Sequence, residues 1–237
     1  MANTGKPRRA PSHTVLFPAV PTDILIWSWI FDHALPNCKF NRDQAGGFRD
    51  AKSEEFLSFT DVKRLATYLS TAVAQKYDIK EGSHVTIFCS NSIWYPVLTF
   101  STVRLGAIVT GSSPEYGVEE MTYILQASES ELIYADNGSW NVVCKAAEKA
   151  GVRKDKVILM GSEAEVNGQT GKVTIQDLIR EGKARDENGQ IKAWEVGKGK
   201  SNKDVPGYLS FTSGTTSLPK GVSHEEPSFN GDETGGR

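Results

Sequence analysis

The stretch Tyr208-Leu209-Ser210-Phe211-Thr212-Ser213-Gly214-Thr215-Thr216-Ser217-Leu218-Pro219-Lys220-Gly221-Val222 combines residue types suited to holding an anion. It starts as a strand and passes into five consecutive small residues, Ser213 to Ser217. Backbone N–H groups of small residues can approach an anion closely, and the hydroxyls add neutral donors around it. Lys220 adds a full positive charge. Several fixed donors and one ammonium ion are the chemistry of a phosphate cradle. The same composition also describes a surface turn, since Ser, Thr and Gly clusters commonly occupy loops. A Walker A loop is excluded: that pattern requires Gly-Lys followed by Ser or Thr, whereas Pro219 precedes Lys220 and Gly221 follows it.

The elements that must carry this segment alternate between helical and strand patterns. Val62, Leu65, Ala66, Leu69 and Val73 recur at three- and four-residue steps and predict a helix within 56–77, capped at Ser58 or Thr60. The apolar run around Val85, Ile87, Phe88 and Cys89 predicts a buried strand over 84–90. A helix over 94–105 then ends at Gly106, Pro96 being tolerated in its first turn. Further strands are expected at 107–110, 131–135 and 156–160, and helices at 118–126, 140–150 and 175–181. Strands separated by helices pair in parallel, because the helix returns the chain to the same end of the sheet. Trp94, Tyr95 and the run from Val97 to Phe100 are assigned to core packing, and Asn91 and Ser92 to a strand-to-helix turn and cap.

Outside these elements, residues 1–22 read as an extended arm, and 180–206 as a polar surface excursion with Ala193, Trp194 and Val196 as its apolar cluster. Within the excursion, Lys198, Lys200 and Lys203 are assigned to a solvated linker rather than to a phosphate patch.

Twenty-seven Lys and Arg stand against 29 Asp and Glu among 237 residues, a formal charge of −2, which gives no electrostatic case for nucleic acid as a partner. Hydrophobic residues make up 38% and charged residues 24%, enough apolar material for a packed core of one large domain or two small ones. Cys38, Cys89 and Cys144 are far apart and odd in number, and His13, His33, His84 and His224 are scattered. Neither set suggests a disulfide framework or a structural metal, and a reducing compartment is expected. The apolar run from Ile24 to Phe31 is interrupted by Ser28 and is too short for a membrane span. Pro18, Pro21 and Asp23 break the N-terminal apolar stretch, so no secretion signal is expected.

The ordered string from Tyr208 to Val222 resembles the nucleotide-phosphate signature of the adenylate-forming (AMP-binding) superfamily, which includes acyl-CoA synthetases, luciferases and peptide-synthetase adenylation domains. The resemblance extends upstream through Gly82, Val85-Thr86-Ile87, Asn91-Ser92, Leu105-Gly106-Ala107, Pro114 and Glu119-Glu120-Met121. On this basis the chain is similar to 4-coumarate-CoA-ligase-like acyl-CoA synthetases. It implies an α/β fold, the N-terminal part of the large adenylate-forming domain, with a mainly parallel sheet flanked by helices over residues 23–222. The phosphate-loop role falls on Thr212, Ser213, Gly214, Thr215, Thr216 and Lys220, with Ser217 where the family usually has Gly. The implied chemistry is attack of a substrate carboxylate on the α-phosphorus of Mg-ATP, release of pyrophosphate, and transfer of the acyl group from acyl-AMP to the CoA thiol. ATP, Mg2+ and CoA are thus the implied cofactors, and a small-molecule carboxylic acid and a nucleotide the implied partners. The expected location is intracellular, cytoplasmic or peroxisomal.

The resemblance also marks departures. In the family, the adenine and ribose contacts, most of the acyl pocket and a catalytic lysine lie downstream of the phosphate loop, so no catalytic residue is assigned here. Ser223-His224 arrives two residues too early for the family's Ser/Thr-His pair, and His224 is given no catalytic role. Residues 223–237 read as an irregular tail, and the chain as a truncated ligase that is inactive alone. Two alternatives are a non-catalytic nucleotide-binding or interaction module and a fragment of a peptide-synthetase adenylation domain.

Overall fold

A computed structural model describes residues 23–32, 46–51, 53–167, 171–185, 187–212 and 220–225. The N-terminal arm, Cys38 and residues 226–237 lie outside them, as do Ser213 to Pro219.

A short helix α1 (Ile26–Phe31) precedes an antiparallel pair, β1 (Gly47–Arg49) and β2 (Phe56–Ser58), in which Phe48 faces Leu57. Helix α2 (Phe59–Tyr77) begins where Ser58 Oγ accepts the Asp61 N–H at 3.0 Å and the Asp61 carboxylate accepts the Ser58 N–H at 3.1 Å. Of the two expected caps, Ser58 is the one used, and 56–58 is strand rather than helix because it pairs with β1. The chain then alternates through β3 (His84–Phe88), α3 (Tyr95–Val103), β4 (Ile108–Ser112), α4 (Val118–Ala127), β5 (Leu132–Ala135), α5 (Trp140–Ala150), β6 (Val157–Leu159), a one-turn α6 (Glu163–Val166) and α7 (Ile175–Lys183). It ends in a hairpin of β7 (Pro206–Thr212) and β8 (Lys220–Glu225).

The sheet has the order β6-β5-β3-β4-β7-β8, and its first five strands are parallel. Its register aligns Ile87, Gly111, Ser210 and Val222 on one rung. Val85, Ile87, Val109, Leu132 and Tyr134 pack on one face with α1, α2, α3 and α7, while Phe88, Ile133, Ala135 and Val157 pack on the other with α4 and α5. The near-continuous apolar strands are explained by this two-sided cover. The fold is therefore α/β with a mainly parallel sheet flanked by helices.

Two expectations change. The excursion after α7 is a strap bound to the body. Thr71 Oγ1 donates to Gln190 Oε1 at 2.8 Å and accepts the Ile191 N–H at 3.2 Å. The Trp194 N–H donates to the Arg104 carbonyl at 2.9 Å, and Asn202 Nδ2 donates to the Ile24 carbonyl at 3.1 Å. Polar composition concealed this because the attachment runs through backbone groups and amides rather than an apolar period. Ser223, His224 and Glu225, expected to belong to an irregular tail, instead continue β8, paired with Leu209, Tyr208 and Pro206. Ladder pairing with β7 holds them as strand despite their polar sequence.

Candidate functional site

Parallel strands bring their carboxyl ends to one edge of the sheet, where open α/β folds bind ligands. At that edge β7 ends on Thr212 and β8 starts on Lys220, and the two are register partners. The seven residues from Ser213 to Pro219 therefore leave from and return to a single rung. Of the six expected phosphate-loop residues, Thr212 and Lys220 are brought together at this base. Ser213, Gly214, Thr215 and Thr216 lie outside the described residues, as does Ser217.

Alternation along β7 places its residues on definite faces. Tyr208 packs with the α1–α3 side and Phe211 with the α4–α5 side. A β-carbon on Gly221, the partner of Phe211, would lie 3.3 Å from Leu209, so that residue shares the α4–α5 face. Ser210 and Lys220 consequently fall on the same face as Tyr208. Lys220 is exposed. An exposed cation at the carboxyl edge of a parallel sheet suits the phosphate groups of a nucleotide. Among the described residues, no group of three or more His, Cys, Asp or Glu side chains is placed to share a metal ion, so Mg2+ is assigned no residue here.

The turns beside the hairpin behave partly as the sequence suggests. Ser92 Oγ accepts the Trp94 N–H at 3.2 Å and the Ser92 carbonyl accepts the Tyr95 N–H at 3.1 Å, which makes the expected turn before α3, but the helix N-cap is Trp94 and Ser92 does not cap it. Trp94 is buried, as are Val97, Leu98 and Thr99. Tyr95 differs from the expectation: its side chain is 36% exposed, and its hydroxyl lies 3.3 Å from where a Gly111 β-carbon would stand. It thus flanks the carboxyl edge rather than filling the core. Burial, and secondarily the neighbouring Cys89, raises the Tyr95 phenol above its ordinary value, so it remains a protonated donor. Burial likewise pushes the Cys89 thiol up to about 12, with a lesser contribution from Asp136. Cys89 is therefore inert as a nucleophile at neutral pH.

Asp136 organises this edge and was not singled out in the sequence. Its carboxylate accepts the Ser90 N–H at 2.8 Å and the Ser139 N–H at 2.7 Å, tying the turn after β3 to the turn after β5. The signal available was an Asp directly after a strand with Asn-Gly-Ser following, an Asx-type turn. Of the lysines assigned to a solvated linker, Lys198 and Lys203 are exposed, but Lys200 faces Glu81 at 3.7 Å and Asn202 between them is buried, as part of the bound strap. No helix among the described residues is long and apolar enough to cross a membrane.

Comparison with known proteins places this geometry in a family. The family model described as "AMP-binding enzyme" matches residues 42–229, most of the chain. The acyl-CoA ligase azaF of Aspergillus niger is 25% identical over 208 residues, covering 86% of this chain and 36% of its own length. The 4-coumarate–CoA ligase-like 3 of Arabidopsis thaliana is 26% identical over 176 residues, covering 74% and 30% respectively. In fold, the chain matches the anthranilate CoA ligase AuaEII, solved with anthranoyl-AMP, at a TM-score of 0.68 and 18% identity, over 87% of this chain and 35% of that one. It matches the luciferase-like enzyme of Zophobas morio at 0.61 and 21% identity, over 75% and 38%. The chain spans about a third of the length of the curated relatives it matches. With the parallel sheet, the strand-ending hairpin and the family match in agreement, the chain belongs to the AMP-binding enzyme family.

Proposed function

We propose that these 237 residues carry the nucleotide-phosphate-binding part of an ATP-dependent acyl-CoA ligase of the 4-coumarate-CoA-ligase-like type. The observation that supports this most is the Thr212–Lys220 rung at the carboxyl edge of a parallel sheet, whose two residues flank the Ser-Gly-Thr-Thr-Ser string in the sequence. In this reading Thr212, Ser213, Gly214, Thr215, Thr216 and Lys220 hold the β- and γ-phosphates of ATP. Backbone amides and hydroxyls orient the phosphate oxygens while Lys220 offsets their charge. Bound ATP supplies an activated phosphorus and pyrophosphate as the leaving group. Donors already in place where charge gathers on that leaving group are commonly worth about 3 kcal/mol each.

Named relatives support the acyl-CoA ligase class: two are an acyl-CoA ligase and a phenylacetyl-CoA ligase from Aspergillus niger, and another is a 4-coumarate–CoA ligase of rice. One relative in Arabidopsis is a peroxisomal ligase, which supports a cytoplasmic or peroxisomal location over a secreted one. The resemblance puts the adenine, ribose and acyl contacts downstream of the phosphate loop, so these residues bind the triphosphate without completing adenylation. Titration calorimetry with ATP and with inorganic pyrophosphate tests this. Saturable binding of both, with no ATP–pyrophosphate exchange in the presence of carboxylic acids, is expected. Absence of binding by either ligand contradicts the reading, and carboxylate-dependent exchange contradicts the assignment of chemistry to residues outside this chain.

A further inference from the structure

β7 lies between β4 and β8, yet Ser210 in its middle is exposed. A parallel sheet normally has both faces covered, so an exposed inner-strand residue marks a gap in the cover that the described residues provide. The gap lies on the face that Tyr208 shares with α3. Its floor is one rung of small side chains, Gly111 and Ser210, continued by Val222 at 43% exposure. At the Gly111 side stands the Tyr95 ring, whose hydroxyl reaches over the glycine. At the opposite side, one strand over and two residues further along, is Lys220.

Tyr95 makes no hydrogen bond through its hydroxyl among the described residues, although the ring is partly buried and the phenol stays protonated. Gly111 leaves room for it: an added β-carbon would press on the hydroxyl at 3.3 Å. With strands about 4.8 Å apart and residues about 3.3 Å apart along each strand, the rungs under Tyr95 and Lys220 are on the order of 10 Å apart. A phosphoanhydride chain lying across the Ser210 floor can meet both groups.

From this arrangement we infer that Tyr95 is a further ligand-binding residue, donating its phenolic hydrogen bond to a phosphoanhydride oxygen of a ligand held over Gly111 and Ser210 by Lys220. The inference rests on the phosphate-binding reading above and adds to it a contact from α3, outside the hairpin. Gly111 serves as the seat for the phenol. Ser210 serves as floor, its small side chain leaving the anion space.

The test titrates the 237-residue chain and its variants with inorganic pyrophosphate, and in parallel with ATP to separate the free anion from the nucleotide-borne one. Tyr95→Phe is expected to weaken binding about fivefold to tenfold, the loss of one hydrogen bond, with an unchanged melting temperature because the hydroxyl has no hydrogen-bond partner among the described residues. Ser210→Glu puts a carboxylate on the exposed floor and is expected to abolish binding without unfolding the chain. Wild-type affinity in both variants while Lys220→Ala is weakened overturns the Tyr95 contact and leaves the hairpin reading intact. No pyrophosphate or ATP binding by the unaltered chain overturns both. Loss confined to ATP assigns the contact to the nucleotide-borne anion, and equal loss for both ligands assigns it to the phosphoanhydride itself.

Discussion

Gly106 and Trp194 are packed so closely that a β-carbon on Gly106 would lie 2.8 Å from the indole ring. Gly106 has φ of +70°, a conformation that L side chains adopt at a cost. The indole N–H donates to Glu81 Oε2 at 3.1 Å, so the ring has little freedom to retreat. This contact fixes the strap that leads from α7 to β7.

Gly106→Ala is therefore expected to lower unfolding free energy by about 2 to 3 kcal/mol, from backbone strain plus displacement of the indole. Gly151 supplies the control: φ is +78° there, but nothing lies within 4 Å of an added β-carbon. Gly151→Ala should cost only about 1 kcal/mol. Denaturant unfolding of the two variants checks the difference, and equal losses would show that Trp194 is not a rigid neighbour.

The Ser58 cap makes an acid-dependent contribution. The Ser58 hydroxyl, then Arg64, holds the Asp61 carboxyl below its ordinary value of 3.8. A carboxyl lowered in the folded state stabilises the fold fully above the unfolded value, and that stabilisation is lost as pH falls from about 3.8 through the folded value. Ser58→Ala should cost about 1 kcal/mol near neutrality and flatten the acid limb of the stability profile below pH 4. Parallel acid limbs for the two proteins would count against the cap.

Arg104 is buried, and no carboxylate among the described residues forms an ion pair with it. It donates to Ser70 Oγ at 2.9 Å and to the Ile191 carbonyl, and its guanidinium lies 5.3 Å from the centre of the Trp27 ring. Burial lowers its pKa to about 10, so it remains charged at neutral pH. Arg104→Ala should destabilise by about 3 kcal/mol and loosen the strap, read as faster amide exchange at Ile191 and Trp194. Arg104→Lys should recover only part of this, since an ammonium lacks the planar fork that reaches both acceptors.

The two described cysteines should differ in reactivity. Cys89 is 6% exposed with its thiol pushed up to about 12, whereas Cys144 is half-buried and raised less strongly. Mass mapping after brief iodoacetamide treatment at pH 8 should find Cys144 modified well before Cys89. Early labelling of Cys89 would mean that the turn after β3 opens readily.

Most elements were legible because each carries a strong local pattern. The Trp140–Ala150 helix has the limits that its apolar spacing gives, and the apolar runs around Ile87, Ile133 and Ile158 lie in parallel strands. What escaped the sequence depends on partners distant along the chain. Phe56 to Ser58 become strand only because Gly47 to Arg49 pair with them, and the strap is attached through Thr71, Arg104 and Ile24. The ordered residue string singled out Thr212 and Lys220, which are register partners in the structure. The exposed phenol of Tyr95 was hidden within an apolar helix pattern, and the ties of Asp136 involve backbone N–H groups that no spacing reveals.

The central proposal is that the Thr212–Lys220 hairpin holds a nucleotide's phosphates, and paired lysine substitutions measured by calorimetry with ATP test it most directly. Lys220→Ala should weaken binding about tenfold to a hundredfold, as expected for a charged hydrogen bond worth about 1.5 to 3 kcal/mol, while Lys198→Ala on the strap leaves affinity unchanged. Equal small effects from the two substitutions, or a larger effect from Lys198→Ala, would contradict it.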